Sequence, residues 1–456
     1  MEPMSTPTEA SATALAAPAE LAVLRRRVMS LAAPVIGENL LQTMLGVVDT
    51  ILVAGLGATA LAGVGTALQV IFVITAALSA LSVGASVLVA QAVGAGSRDE
   101  AGRVSRQAMI WSVLIALPLT AVGLPLTPVI VGLFGLEPAV ASVSMGYLGV
   151  TMGTITTLTM MLLIGGVLRG AGDSRTPMLV TALANLINVA VSYALIYGHL
   201  GMPALGAVGS AWGAFASRLV GAIILVVVVL RGRNDIRAGG GGSWAPSMRV
   251  FGAILRVGVP AALEEVLVIS AFATLTPIVA TLGTVSLAAQ RVVINILSLS
   301  FLPGLGFGLA ATALVGQAIG ARRPSEARAV IRISLRWAVM WMGGLGLLFF
   351  IFAEGLVRIF SPDPDMIATG ATAIRVVAFT QPFWAATFVY AGALRGTGDT
   401  RTPLVVTGAA IWSAVGIGVL LMNTSLHSLA GIWTAFLVIG PLETLVYWRA
   451  WGRALR

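Results

Sequence analysis

Four carboxylic acids sit inside long apolar runs of this chain: Glu38, Asp49, Glu264 and Glu265. A charge at the centre of a bilayer costs at least about 2.5 kcal/mol, so an acid placed there marks an ion path or a substrate contact. Asp49 lies 15 residues after Pro34 (49 − 34 = 15), among Met44, Leu45, Val47 and Val48, with no cation beside it in sequence. A carboxyl in such surroundings can hold a proton and exchange it when water arrives, which is the chemistry of an ion-coupling group. The bland alternative is a neutral Asp hydrogen-bonded to a neighbouring helix for packing. Glu38 and Glu264 each follow a proline, Pro34 or Pro260, by four residues. Either they face one another across a pseudo-twofold axis and attract cationic substrates, or they pair with Arg218 and Arg291, arginines inside the sixth and eighth apolar runs. Adjacent helical positions point about 100° apart, so only one of Glu264 and Glu265 can face a cleft. Met152 and Met160 offer a soft substrate wall or ordinary packing, and Gln290 is a further cleft candidate. Cys is absent and His199 and His427 are the only imidazoles, so thiolate nucleophiles and histidine metal clusters are excluded. No enzyme motif, cofactor or metal site is expected.

The elements that position these acids follow from composition. Of 456 residues, 58% are apolar and 10% charged, against roughly 25% charged in soluble domains. A helix needs about 20 residues to cross a bilayer, and twelve spans leave 456/12 = 38 residues each. The basic residues are all arginine, and the net charge is 27 − 18 = +9. They form no patch with interleaved aromatics, so no nucleic-acid partner is expected. Instead they fall on alternate links: Arg98, Arg103 and Arg106 after the second run, Arg169 and Arg175 after the fourth, Arg231, Arg233, Arg237 and Arg249 after the sixth. The pattern continues with Arg322 and Arg323 after the eighth run, Arg395 and Arg401 after the tenth, and Arg449 and Arg453 after the twelfth. Only Arg358 departs from it. Cationic links stay inside, which puts both termini in the cytoplasm and requires an even number of helices.

One offset relates the two halves. Pro34 pairs with Pro260 (260 − 34 = 226), Glu38 with Glu264, Gln91 with Gln317, and Glu100 with Glu326, all at 226. The decapeptide Leu168 to Pro177 repeats as Leu394 to Pro403 at the same spacing. A duplication of six helices keeps the same orientation, so the copies are related by an axis along the membrane normal, with a cleft between them. The expected organisation is a disordered N-terminal tail (1–27), an N-lobe (28–231), a flexible cytoplasmic linker (232–248), a C-lobe (249–451) and a short cytoplasmic end (452–456). The fold class is all-α: a polytopic membrane protein of twelve transmembrane helices in two six-helix bundles. The decapeptides themselves read as a helix closed by Gly with Asp capping the next helix.

Paired Leu-Arg-Gly-x-Gly-Asp-[Ser/Thr]-Arg-Thr-Pro segments, with Val48-Asp49-Thr50 late in the first helix, resemble the multidrug and toxic compound extrusion (MATE) family. Gly258 to Glu264 resembles the start of the seventh helix in DinF-like bacterial members. The resemblance spans Leu31 to Arg449 and implies a secondary antiporter that exports amphipathic cationic drugs or metabolites by alternating access across a bacterial plasma membrane. It matches Asp49 to the coupling acid of the first helix, with fifth-helix partners at Asn185 and Asn188. Many relatives carry a second acid where this chain has Ser192. Losing one carboxylate weakens a sodium site more than a proton site, so H⁺ is preferred to Na⁺ as the coupling ion. A lipid-linked oligosaccharide flippase is the alternative, and it would use Arg218, Arg291 and Arg375 to hold a pyrophosphate. The expected partners are small amphipathic substrates and the bilayer, with the chain acting as a monomer.

Overall fold

The computed structural model describes residues 18–232, 236, 238–424 and 427–455, with backbone only at 18, 19 and 80. The first lobe holds α1 (Pro18–Ala54), α2 (Ala58–Gly94), α3 (Arg98–Gly132), α4 (Pro138–Gly153), α5 (Ile155–Gly170), α6 (Arg175–Tyr197) and α7 (Ala207–Arg231). The second holds α8 (Met248–Ala280), α9 (Thr284–Gly320), α10 (Pro324–Ile351), α11 (Ala353–Arg358), α12 (Pro364–Thr397), α13 (Arg401–Leu421) and α14 (Leu429–Ala454). Ten of these helices are long and apolar enough to cross a bilayer, and α4 and α5, bent by 55°, make one further broken span. The 34-residue α12 completes the twelve, its apolar run diluted by Thr380, Gln381 and Pro382. Large side chains such as Leu117, Leu186 and Phe350 stay on the outside, where lipid is the solvent.

Between α5 and α6, and again between α12 and α13, the chain turns through Gly172 (φ 90°) and Gly398 (φ 94°). That left-handed conformation suits glycine. Asp173 Oδ1 then accepts from the Thr176 amide at 3.0 Å, and Asp399 Oδ1 from the Thr402 amide at 3.0 Å. The decapeptides are thus the paired capped turns that their residue types require.

Three expectations about the segments change. The tail expected over 1–27 gives way to helix from Pro18, because Leu24 and Val28 find an apolar core to pack into, and residues 1–17 lie outside the described residues. The linker, expected to be flexible, is fastened to α3. Arg106 Nη1 donates to the Ala238 and Gly240 carbonyls at 3.2 and 3.3 Å, and Gln107 exchanges hydrogen bonds with the Ala245 carbonyl and the Ser247 amide, both at 2.8 Å. Within the linker, 233–235 and 237 lie outside the described residues, as does Arg456. Finally, the lobes are not divided cleanly at the linker. Leu24 and Val28 of α1 belong to the second lobe's core, while Val250 and Ile254 of α8 (24 + 226 = 250; 28 + 226 = 254) belong to the first lobe's core. Each lobe's first helix crosses to the other.

The described hydrogen bonds and ion pairs between the lobes lie at the arginine-bearing end. Gln91 Nε2 donates to the Gly396 carbonyl and Gln317 Nε2 to the Gly170 carbonyl, both at 3.0 Å, an exchange that obeys the 226 offset twice. Arg27 adds an ion pair to Glu326 at 3.0 Å and a hydrogen bond to Gln317 Oε1 at 3.1 Å. Glycines allow the backbones to meet: a Cβ at Gly94 would overlap the Gln317 carbonyl, and one at Gly320 would overlap that of Gln91. Toward the other end no described hydrogen bond or ion pair joins the lobes, and the equivalent Val73 and Leu299 (73 + 226 = 299), mid-way along α2 and α9, are 60% and 55% exposed.

Candidate functional site

Asp49 lies about one turn before the end of α1, half-buried, at the end of the molecule away from the inter-lobe hydrogen bonds. Its Oδ1 accepts a hydrogen bond from the Ser210 hydroxyl of α7. Ser210 also acts on the buried phenol of Tyr147 from α4. Arg218, two turns along α7, acts electrostatically on both Asp49 and Tyr147. Among the described residues, Asp49 makes no ion pair within 4 Å, so its carboxylate is hydrogen-bonded but not locked to a guanidinium. Such a group can change its protonation state without breaking a salt bridge.

Helix packing explains why α7 supplies this partner. Gly209 and Gly213, four residues apart, turn toward α6; Cβ atoms there would overlap the Leu195 backbone and the Ser192 hydroxyl. Small residues at this spacing bring the helix axes close, as is usual for helices packed in membranes. The sequence-expected fifth-helix residues line the same region and bond elsewhere. Asn185 Nδ2 donates to the Leu41 carbonyl at 2.7 Å, which ties α6 to α1, and Ser192 Oγ donates to Asn188 Oδ1 at 3.2 Å. Ser210 and Tyr147 escape sequence reasoning, since neither residue type is unusual in an apolar helix.

The polar set exists in one lobe only. At the same offset Asp49 corresponds to Leu275 (49 + 226), Tyr147 to Ala373, Asn185 to Ile411, Asn188 to Ala414 and Ser192 to Gly418. The backbones are duplicated and the chemistry is not.

The two equivalent glutamates resolve in a third way. Glu38 pairs with Arg169 at 3.2 Å and accepts from Thr181 Oγ1 at 3.4 Å, while Glu264 pairs with Arg395 at 2.8 Å. Neither Arg218 nor Arg291 is their partner, and neither acid is free to face the other across the axis. The decapeptide arginines take that place because each turns back from the end of its helix into its own lobe. Glu265 has an accessible side chain beside the Glu264–Arg395 pair. Met152 is in the first lobe's core, against Gly123, and Met160 packs on that core, so both serve packing. Gln290 is also removed from the cleft: its Oε1 accepts from Trp433 Nε1 at 2.9 Å inside the second lobe. Arg358, the exception to the charge pattern, is offset on α11 by Glu354, which also pairs with Arg375 at 2.9 Å.

Removing one member of a buried ion pair costs roughly 3–5 kcal/mol because the other charge is left uncompensated. Arg395→Ala should therefore destabilise the fold by about that much, and adding Glu264→Gln should recover most of the loss. Arg27→Ala, which breaks a more exposed pair, should cost at most about 1 kcal/mol. Denaturant titration in detergent measures all three.

The MatE family profile matches residues 34–194 and 260–420, one match in each lobe. A probable multidrug resistance protein NorM of Thermotoga maritima is 33% identical over 433 residues, covering 94% of this chain and 91% of its own. The uncharacterized transporter YisQ of Bacillus subtilis is 25% identical, covering 92% of this chain and 93% of its own. Among solved structures, an outward-facing MATE family transporter of the MOP superfamily superposes with TM-score 0.87 at 23% identity, covering 95% of this chain and 96% of its own. A MOP superfamily transporter from Pyrococcus furiosus gives 0.86 at 22%, with the same coverage. At that identity these structures speak to the fold.

Proposed function

Because this chain belongs to the MatE family of membrane transporters, we propose that it is a secondary antiporter that expels amphipathic cationic compounds in exchange for an inward proton. The observation that carries this reading is Asp49, an acid without an ion pair, present in one lobe and half-accessible at the end away from the inter-lobe hydrogen bonds. Protonation of Asp49 changes its bond to Ser210 and its attraction to Arg218. Such a change biases the population between open-out and open-in arrangements of the lobes. Sodium fits less well: where a second carboxylate would help hold it, Ser192 presents a hydroxyl already given to Asn188. The alternate-link arginines support an orientation in which the closed end and both termini face the cytoplasm of a bacterial plasma membrane. One chain supplies both walls of the cleft, so a monomer suffices. The flippase alternative is not favoured, since Arg375 is held by Glu354 and Arg218 acts on Asp49.

Ethidium efflux from proteoliposomes under an imposed pH gradient tests this reading. Efflux should follow the proton gradient and be indifferent to Na⁺. Efflux driven by Na⁺ alone, or none under either gradient, overturns it.

A further inference from the structure

The second lobe contains a buried acid for which proton coupling at Asp49 has no use. Glu443 of α14 lines a cavity of about 110 Å³ whose other walls are largely aromatic: Phe301, Trp384, Phe388 and Phe436. The rings meet edge to face, Trp384 with Phe301 at 5.1 Å and 75°, and Phe301 with Phe388 at 5.6 Å and 72°. Crossed rings of this kind turn their faces in different directions, and ring faces attract cations. At the 226 offset the first lobe has Thr75, Leu158 and Leu162 in place of Phe301, Trp384 and Phe388, so the aromatic box is confined to the second lobe.

Glu443 has no ion-pair partner among the described residues, and the acid that acts on it electrostatically, Glu264, is itself paired with Arg395 at 2.8 Å. Both hydroxyls on the cavity wall, Thr387 and Thr407, act on the Glu443 carboxyl, and Thr407 is also bonded to the Tyr447 phenol at 2.7 Å. No group of three His, Cys, Asp or Glu that could hold a metal ion occurs among the described residues. One carboxylate among aromatic rings offers too few oxygens for a hard inorganic cation, which wants about six or more. It suits a weakly hydrated organic one. The volume sets the scale: an enclosed cavity of roughly 150 Å³ takes a single benzene ring, so a space of this order takes one compact group and not a polycyclic molecule.

We propose that the second-lobe cavity binds the quaternary or tertiary ammonium head of an organic cation, with Glu443 as its counter-ion and Trp384, Phe301 and Phe388 as its cation–π wall. This deepens the antiporter reading and rests on it for the use to which binding is put. Equilibrium binding to the purified full-length chain in detergent, with no gradient, tests the site directly. The ligands are radiolabelled choline and, as competitor, its neutral isostere 3,3-dimethylbutan-1-ol. Choline should bind saturably, the isostere should compete at least about ten-fold more weakly, and Glu443→Gln should weaken choline by about ten-fold or more. Trp384→Leu, which leaves the acid in place, should weaken it as well and serves if the first variant does not fold. Equal binding by Glu443→Gln or by Trp384→Leu overturns the proposal, as does an isostere that competes as well as choline. Displacement of choline by excess Na⁺ at the same site also overturns it. Choline binding of the expected kind without pH-driven efflux would refute the antiporter reading and leave the site standing; efflux without choline binding would do the reverse.

Discussion

Asp49→Asn should reduce pH-driven export to the level of protein-free liposomes while leaving expression and the folded state intact. The amide occupies the carboxyl's space and still accepts from Ser210, so packing of α1 against α7 is preserved. It cannot take up or release a proton in the physiological range, so the cycle loses its coupling step. The second lobe cannot compensate, because the equivalent position (49 + 226) is Leu275. Ser210→Ala separates orientation from protonation. Losing a hydrogen bond to a charged group costs roughly 1.5–3 kcal/mol, so export should fall by about ten-fold or more, with its dependence on the gradient retained. Wild-type efflux by Asp49→Asn, measured as ethidium fluorescence after a pH jump, would remove this residue from the mechanism.

Gly94→Val and Gly320→Val should each abolish export by a different route. The closed arginine-bearing end depends on backbone contact across the axis, where Gly94 meets the Gln317 carbonyl and Gly320 that of Gln91. A branched side chain at either place overlaps main-chain atoms, which cannot yield as a flexible side chain would. The reciprocal bonds from Gln91 to Gly396 and from Gln317 to Gly170 are then lost together. Apart from the crossing ends of α1 and α8, each lobe's core is built from its own helices, so the helices should fold and the lobes should rest apart at that end. The chain has no cysteine of its own, which makes a reporter simple. A cysteine replacing the buried Ala171 should react with maleimide slowly in the parent and much faster beside Gly94→Val. Unchanged labelling together with normal export would show that the close approach is dispensable.

Much of this molecule was legible in one dimension. Apolar runs of bilayer length count the helices, arginines on alternate links orient them, and an offset of 226 that returns at Pro34, Glu38, Gln91 and the decapeptides declares the duplication. Those signals are local, set by the cost of placing a residue type in lipid or in a turn, and need no knowledge of neighbours. The capped turns at Asp173 and Asp399 belong to the same class, since donor and acceptor are three residues apart. Glu443 is an acid in an apolar run as well, but no motif or repeated acid marks it, its equivalent (443 − 226 = 217) being Ser217.

Pairing was decided in three dimensions. Glu38 lies 131 residues from Arg169 and Asp49 lies 161 from Ser210. Which of several arginines or hydroxyls each acid meets depends on how far every helix is rotated about its axis and how closely the axes approach. Gly213 lets α7 close on α6 and carry Ser210 to α1, whereas residue types alone allowed Arg218 and Arg291 as partners for the glutamates. The same rotations put Met152 and Gln290 into lobe interiors and chose which ends of the lobes touch. A helix displays every face equally in its sequence; only packing selects the face that is used.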